Sequence, residues 1–377
     1  MSDSRLIFVH GNGAIVEGAI QAGCRFYAGY PITPSSEIAE EMSKRLPQVG
    51  GIYVQGEDEL ASINMIVGAS MAGAKAMTAT SGPGFSLMQE GLGLAVATET
   101  PLVIVNMMRA GPSTGIASKA WQGDIMQSRF GSHSDYEIIS VYPWSVQEAF
   151  DLTIESFNLA EKYMTPVVLL GDAILARMRE RLYIKQEEII DRKRPSEPEG
   201  KYMPYKRDQS LVPVIASFGE GFHVLKDSLT HNENGYYYEN PEVQAKYVRG
   251  ITEKIKKNAA AIEKYESVFT EDAEVVIVAA GPMARVAHSM IIDARKRGKK
   301  WGMFRPVTIW PFPEEQLKKS VQKAIYVIVV EMSTGKLVYP VKWSINDNDR
   351  VKLVSWLSYE APTPDELEHL CEKEVNG

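Results

Sequence analysis

The chain has 377 residues, 45% of them apolar and 24% charged, with a formal net charge of −7. That length suggests two domains, and the composition excludes extended disorder, collagen-like repetition and a disulfide-stapled miniprotein. The acidic balance speaks against nucleic-acid binding, which needs a phosphate-neutralising basic surface. Two cysteines, Cys24 and Cys371, cannot hold an iron–sulfur cluster or a four-cysteine zinc site, and no CxxC occurs, so a reducing cytoplasm is the expected setting. No leader-like opening is visible and apolar runs break early, so neither a targeting segment nor a membrane span is expected.

In chain order, the pattern predicts strands at 25–29, 52–55, 76–80, 102–107 and 167–170, and helices at 14–22, 35–45, 57–71, 85–97 and 146–163. Residues 186–210 carry twelve charged side chains and three prolines (Pro195, Pro198 and Pro204), the signature of a solvated linker or surface excursion. An exposed helix is expected over 242–265. Alternation resumes with strands at 275–279, 300–304 and 326–330 and helices at 283–297 and 314–321. Strands alternating with helices imply an α/β fold of two doubly wound, mostly parallel sheets. The expected division is a first domain over 1–185, an irregular linker or excursion over 186–270, and a second domain over 271–377.

Charge is uneven. Residues 61–110 hold only Lys75, Glu90, Glu99 and Arg109, so this stretch is either buried on both faces or set against another chain.

Ligands of such sheets sit beyond the carboxyl ends of the strands. The residues there read Tyr30-Pro31-Ile32-Thr33-Pro34, Gly56-Glu57-Asp58-Glu59, Ser81-Gly82-Pro83-Gly84 and Arg109-Ala110-Gly111-Pro112-Ser113-Thr114-Gly115. Thr33-Pro34 reads as a helix start, or as a hydroxyl presented to a ligand there. The acidic triplet reads as a charged first turn, or as a carboxylate aimed into an uncharged cleft with a raised pKa. The glycine run is not a P-loop, because no Gly-Lys-Ser/Thr follows. Arg109 reads as a salt-bridge partner, or as a fork for a carboxylate or phosphate.

Ordered along the chain, Ala28-Gly29-Tyr30-Pro31-Ile32-Thr33-Pro34-Ser35-Ser36-Glu37, Glu57-Asp58-Glu59, Thr78-Ala79-Thr80-Ser81-Gly82-Pro83-Gly84, the Arg109 run and Gln122-Gly123-Asp124 resemble the α subunit of 2-oxoacid:ferredoxin oxidoreductases. The likeness recurs at Arg305-Pro306 and Glu331-Met332-Ser333-Thr334-Gly335. It implies that 1–185 is the pyrimidine-binding domain for thiamine diphosphate and that 271–377 is similar to the transketolase C-terminal domain. It assigns Glu59 as the catalytic carboxylate that hydrogen-bonds the cofactor's aminopyrimidine. Tyr30, Pro31 and Ile32 would line the pyrimidine pocket, while Arg109 and Thr33 would bind the substrate carboxylate. It also implies oxidative decarboxylation of 2-oxoglutarate with CoA to succinyl-CoA, CO₂ and reduced ferredoxin, run in either direction.

No Gly-Asp-Gly is present, so a partner β subunit is expected to hold the diphosphate, Mg²⁺ and a [4Fe-4S] cluster, with γ and δ subunits and ferredoxin as further partners. No metal ligand is assigned to this chain. Lys119, Arg129 and His133 are either surface charges or candidates for a distal substrate carboxylate. A branched-chain or other 2-oxoacid (2-oxoisovalerate, pyruvate or an aryl acid) is the alternative substrate. A noncatalytic scaffold would be expected to have lost Glu59, Thr33 or Arg109, and all three are present.

Overall fold

A computed structural model describes residues 5–196, 202–347 and 349–376. Pro198, one of the prolines of the charged excursion, lies outside the described residues. The strands are β1 (Arg5–His10), β2 (Cys24–Gly29), β3 (Ile52–Gln55), β4 (Lys75–Thr80), β5 (Leu102–Met108), β6 (Ile139–Val141), β7 (Pro166–Asp172), β8 (Arg179–Ile184), β9 (Tyr265–Val268), β10 (Val275–Val278), β11 (Trp301–Pro306), β12 (Thr308–Trp310), β13 (Tyr326–Glu331) and β14 (Val351–Ser355).

Seven strands form one sheet in the order β12-β6-β7-β5-β4-β2-β3, parallel except for the β12–β6 pair. Five form a second, β14-β13-β10-β11-β9, parallel except for β9. β1 and β8 make an antiparallel ribbon. The architecture is α/β with two doubly wound sheets, as the alternation implied.

Every residue of β4 and β5 is buried. Their side chains alternate. Met77, Ala79, Val103 and Val105 pack under the helices Gly11–Gln21 and Val146–Tyr163. Ala76, Leu102 and Ile104 pack under Glu59–Met71 and Gln89–Ala97. Burial on both faces therefore accounts for the low charge of the two strands. The outer face of helix Glu59–Met71 is different, because Leu60 and Met65 are exposed there and Gly68 meets nothing within 4 Å.

Several elements differ from the sequence expectation. The first helix of the Thr33-Pro34 region begins at Ser36, and Ser35, not Thr33, is its cap. The helix expected over 85–97 is two, Pro83–Leu87 and Gln89–Ala97. The helix expected to reach 265 ends at Lys257, and Tyr265 opens β9. Strand β12 follows Pro306 and precedes Pro311, and it pairs with β6 of the first sheet. Three residues between prolines carry too little periodicity to announce a strand.

Residues of the charged middle are tied to the first sheet's layer. Arg192 Nη2 pairs with buried Glu161 at 2.7 Å, and Arg192 Nη1 donates to the Ser70 carbonyl at 2.7 Å. Glu99 is fully buried. It accepts from Lys254 Nζ at 2.7 Å and from Arg207 Nη1 at 2.8 Å, while Lys226 donates to the neighbouring Thr98 carbonyl at 2.8 Å. The charges of this stretch thus include counter-ions of buried carboxylates. Cys24 and Cys371 are free and buried, and burial pushes each thiol up to about 12. No helix among the described residues is long and apolar enough to cross a membrane.

Burial pushes the Glu99 carboxyl up, but Lys254 and Arg207 outweigh it and hold the group below its ordinary value. The stability it contributes is complete above the ordinary carboxylate range and is lost as pH falls through its depressed folded value. Glu99→Ala leaves two cations without their counter-ion and should cost about 3–5 kcal/mol, read as a lower urea midpoint. The loss should shrink as the pH is lowered.

Candidate active site

The residues just beyond the carboxyl ends of β2, β3, β4 and β5 converge on one site. Its first component is set by a helix start. Asp58 has extended backbone and its side chain accepts from the Ala61 amide at 2.7 Å, which makes it the cap of Glu59–Met71. Glu57 is exposed. With those two residues spent, Glu59 becomes the first helical residue, and its side chain turns inward to 5% exposure. Its Oε1 is buried without a hydrogen-bond partner. Burial pushes its carboxyl above the ordinary value and Asp58 adds to the rise, while the helix-start amide and Arg109 offset part of it.

Opposite Glu59 stands Gly84. A Cβ there would lie 2.2 Å from Glu59 Oε1 and 2.2 Å from Thr80 Oγ1, so glycine keeps open the space into which the carboxylate points. Gly82 has φ +50°, and a Cβ on it would come within 3.0 Å of Arg109 Nε. Arg109 itself is 6% exposed. Its Nη1 donates to the Thr33 carbonyl at 2.7 Å, and its Nε is buried and unpartnered. Burial lowers the arginine's proton affinity, and Glu59 and then Asp124 oppose that.

Thr80 and Asn106 are register partners on β4 and β5. Thr80 Oγ1, Ser81 Oγ and Asn106 Oδ1 are also buried without partners. Buried polar atoms in folded chains are nearly always satisfied. Their concentration at the carboxyl end of a parallel sheet is the mark of a polar ligand's seat.

The structure thus brings Glu59, Arg109 and Thr33 together. Thr33 meets Arg109 through its carbonyl, and its side chain is half-buried. Tyr30 and Pro31 are exposed and Ile32 is half-buried, on the loop that leaves β2; the Gly56 amide binds the Gly29 carbonyl at 3.0 Å and sets that loop beside the Glu59 helix. Of the three cations considered for a distal carboxylate, Arg129 is paired with Glu137 at 2.9 Å and stacked on Phe130 and Tyr136. His133 sits on an exposed turn, and Lys119 lies 3.8 Å from Glu360. Sequence reasoning passed over Asn106, although a lone amide in the apolar run Leu102–Met108 is itself a signal.

The second sheet is tied to the loop that returns from Arg109 through Gln122. Its amide donates to the Met332 carbonyl at 2.9 Å, its Oε1 accepts from the Met332 amide at 2.8 Å, and its Nε2 donates to the Ala280 carbonyl at 3.0 Å. Arg305 is buried against Glu148 and Glu266, each at 2.9 Å, over the Trp144 ring. The Glu331 carboxylate gathers the amides of Lys336, Leu337 and Val338. These two motifs are structural ties.

Such a cleft is that of the α/β enzymes that seat a cofactor at the strand ends. The family described as pyruvate flavodoxin/ferredoxin oxidoreductase, thiamine diphosphate-binding, matches residues 17–249, and the pyruvate:ferredoxin oxidoreductase core domain II matches 273–367. The chain is 49% identical over 362 residues to the 2-oxoglutarate synthase subunit KorA of Methanocaldococcus jannaschii, covering 96% of this chain and 98% of that one. It is 39% identical over 348 residues to the ketoisovalerate oxidoreductase subunit VorB of Methanothermobacter thermautotrophicus, covering 92% of each. Among solved structures, a 2-oxoglutarate:ferredoxin oxidoreductase from Magnetococcus marinus, determined with 2-oxoglutarate, coenzyme A and succinyl-CoA bound, superposes with a TM-score of 0.92 at 30% identity. That match covers 98% of this chain, which spans 65% of the other. The chain belongs to the thiamine diphosphate-binding 2-oxoacid:ferredoxin oxidoreductase family.

The residues present fit a thiamine ring. An unpartnered carboxyl oxygen faces a notch that a Cβ would fill, with further unpartnered hydroxyls beside it. Gly84→Ala forces Glu59 Oε1 and Thr80 Oγ1 to shift, so it should lower the urea midpoint while keeping the native circular dichroism spectrum, and should weaken thiamine diphosphate binding by the assembled enzyme at least about tenfold, the scale of one displaced hydrogen bond to a charged group.

Proposed function

We propose that this chain is the pyrimidine-side subunit of a 2-oxoglutarate:ferredoxin oxidoreductase, forming succinyl-CoA, CO₂ and reduced ferredoxin from 2-oxoglutarate and CoA. The observation that carries the substrate is the 49% identity to a 2-oxoglutarate synthase subunit along 96% of the chain. The solved relative that binds 2-oxoglutarate and succinyl-CoA points the same way.

Thiamine diphosphate, when bound, would supply a nucleophilic carbon and an electron sink for decarboxylation. The chain's own residues do the rest. Glu59 would hold a proton at Oε1 toward the pyrimidine ring, and its burial, which raises its pKa, favours that protonated form. Gly84 keeps the ring close. Arg109, fixed through Nη1, turns its remaining donors to the substrate carboxylate, assisted by the Thr33 hydroxyl. Tyr30, Pro31 and Ile32 form the outer wall of the ring pocket.

The diphosphate, Mg²⁺ and the [4Fe-4S] cluster belong to a β subunit, with γ and δ subunits and ferredoxin completing the electron path. The absence of Gly-Asp-Gly and the two buried cysteines support that assignment. The β subunit docks on the uncharged outer face of helix Glu59–Met71 and beside edge strand β3, where Ile52, Leu60 and Met65 are exposed. Within this scheme 1–185 is the pyrimidine domain and 271–377 the transketolase-like domain, and the enzyme works in the cytoplasm.

The purified complex, assayed by dye reduction against a panel of 2-oxoacids, should prefer 2-oxoglutarate. A preference for 2-oxoisovalerate would transfer the reading to the branched-chain relatives. Glu59→Gln in the same complex should cut 2-oxoacid-dependent reduction by about 10²–10⁴-fold.

A further inference from the structure

We propose that Asp124 is a positioning residue for Arg109, acting as the clasp at the base of the loop that carries it. Arg109 opens a long excursion that leaves the end of β5 and returns at Gln122-Gly123-Asp124. The residues at its tip, Gly111 to Ile116, are all exposed. A loop of this kind holds an arginine at a fixed place only if its base is closed.

Two ties close it. Within the loop, the Ala110 amide donates to the Lys119 carbonyl at 2.9 Å. At the base, Asn106 Nδ2 donates to Asp124 Oδ2 at 3.0 Å. Asn106 is fully buried at the end of β5, three residues before Arg109. Asp124 makes no other side-chain hydrogen bond and no ion pair among the described residues. A partly enclosed carboxylate with one amide donor is costly to keep. Burial pushes it up, and Asn106 and Arg109 hold it down. Its place is fixed from the far side by Gln122, whose backbone and side chain are both bonded into the second sheet. The second sheet therefore sets where the returning chain lies, Asp124 transmits that position to Asn106, and the arginine follows.

The inference rests on the reading of Arg109 as the clamp for the substrate carboxylate. It separates two effects of Asp124. The hydrogen bond holds the loop, whereas the negative charge opposes an arriving carboxylate. Asp124→Ala removes both. Asp124→Asn keeps an acceptor for Asn106 and removes only the charge.

In the assembled enzyme, Asp124→Ala should raise KM for 2-oxoglutarate about tenfold, the scale of one hydrogen bond to a charged group, with KM for CoA within twofold of the parent. Asp124→Asn should bring KM for 2-oxoglutarate back to the parent value or below it. Should the alanine protein fail to assemble, Asn106→Ala removes the same bond from the other side and must raise the same KM. An unchanged KM, equal losses for both substrates, or an asparagine variant as impaired as the alanine one would overturn the proposal. Arg109→Met serves as the control. If it raises KM while Asp124→Ala does not, only the clasp is wrong. If it does not, the clamp reading fails as well.

Discussion

Everything at the cleft depends on one carboxyl oxygen that the protein buries and leaves unbonded. Glu59 Oε1 has no partner among the described residues, and that condition is expensive. It is met by three local choices. Asp58 takes over the capping of the helix, so Glu59 need not. Gly84 gives up a side chain in the space the carboxylate faces. Arg109 stands near enough to moderate the charge and far enough to make no ion pair with it among the described residues. In the proposed reading, a carboxyl group held this way shares a proton with a ring nitrogen of the cofactor. A salt-bridged one would be locked ionised.

The second sheet is joined to this arrangement through buried polar ties. Gln122 spans from the first-sheet loops to Ala280 and Met332 at the ends of β10 and β13. Arg305 binds Glu148 of the first layer and Glu266 of the second sheet. Gln122 and the two Nη groups of Arg305 find their partners across long sequence separation, so a shift of either sheet would break buried polar bonds. The cleft is thus built on one sheet and registered by the other.

Much of this was legible in the residues. Alternation of apolar runs with helical patterns gave both sheets, and residues just beyond the strands marked the cleft. The choice of Glu59 within Glu57-Asp58-Glu59 was different in kind. Composition and the helix dipole treat the three alike; the cap geometry separates them, and before it was visible only family likeness did. The excursion from 186 onward was legible only in part: Glu188, Asp191, Lys193, Arg194, Lys206 and Asp208 are exposed, as its charge suggested, but some of its cations serve another purpose. Arg192, Arg207 and Lys254 are charged for the opposite reason, to meet buried Glu161 and Glu99. Strands β6 and β12, of three residues each, and the clasp of Gln122 on Met332 leave no local pattern, because their partners lie far along the chain.

The most direct test of the central claim is the exchange of the thiamine C2 proton with solvent in the assembled enzyme, followed by quenched-flow NMR without a 2-oxoacid present. Exchange isolates the proton transfer from substrate binding and electron flow. Replacing Glu59 with Gln should slow it by about 10²-fold or more. Exchange at the parent rate would contradict the assignment of Glu59 as the group that activates the cofactor.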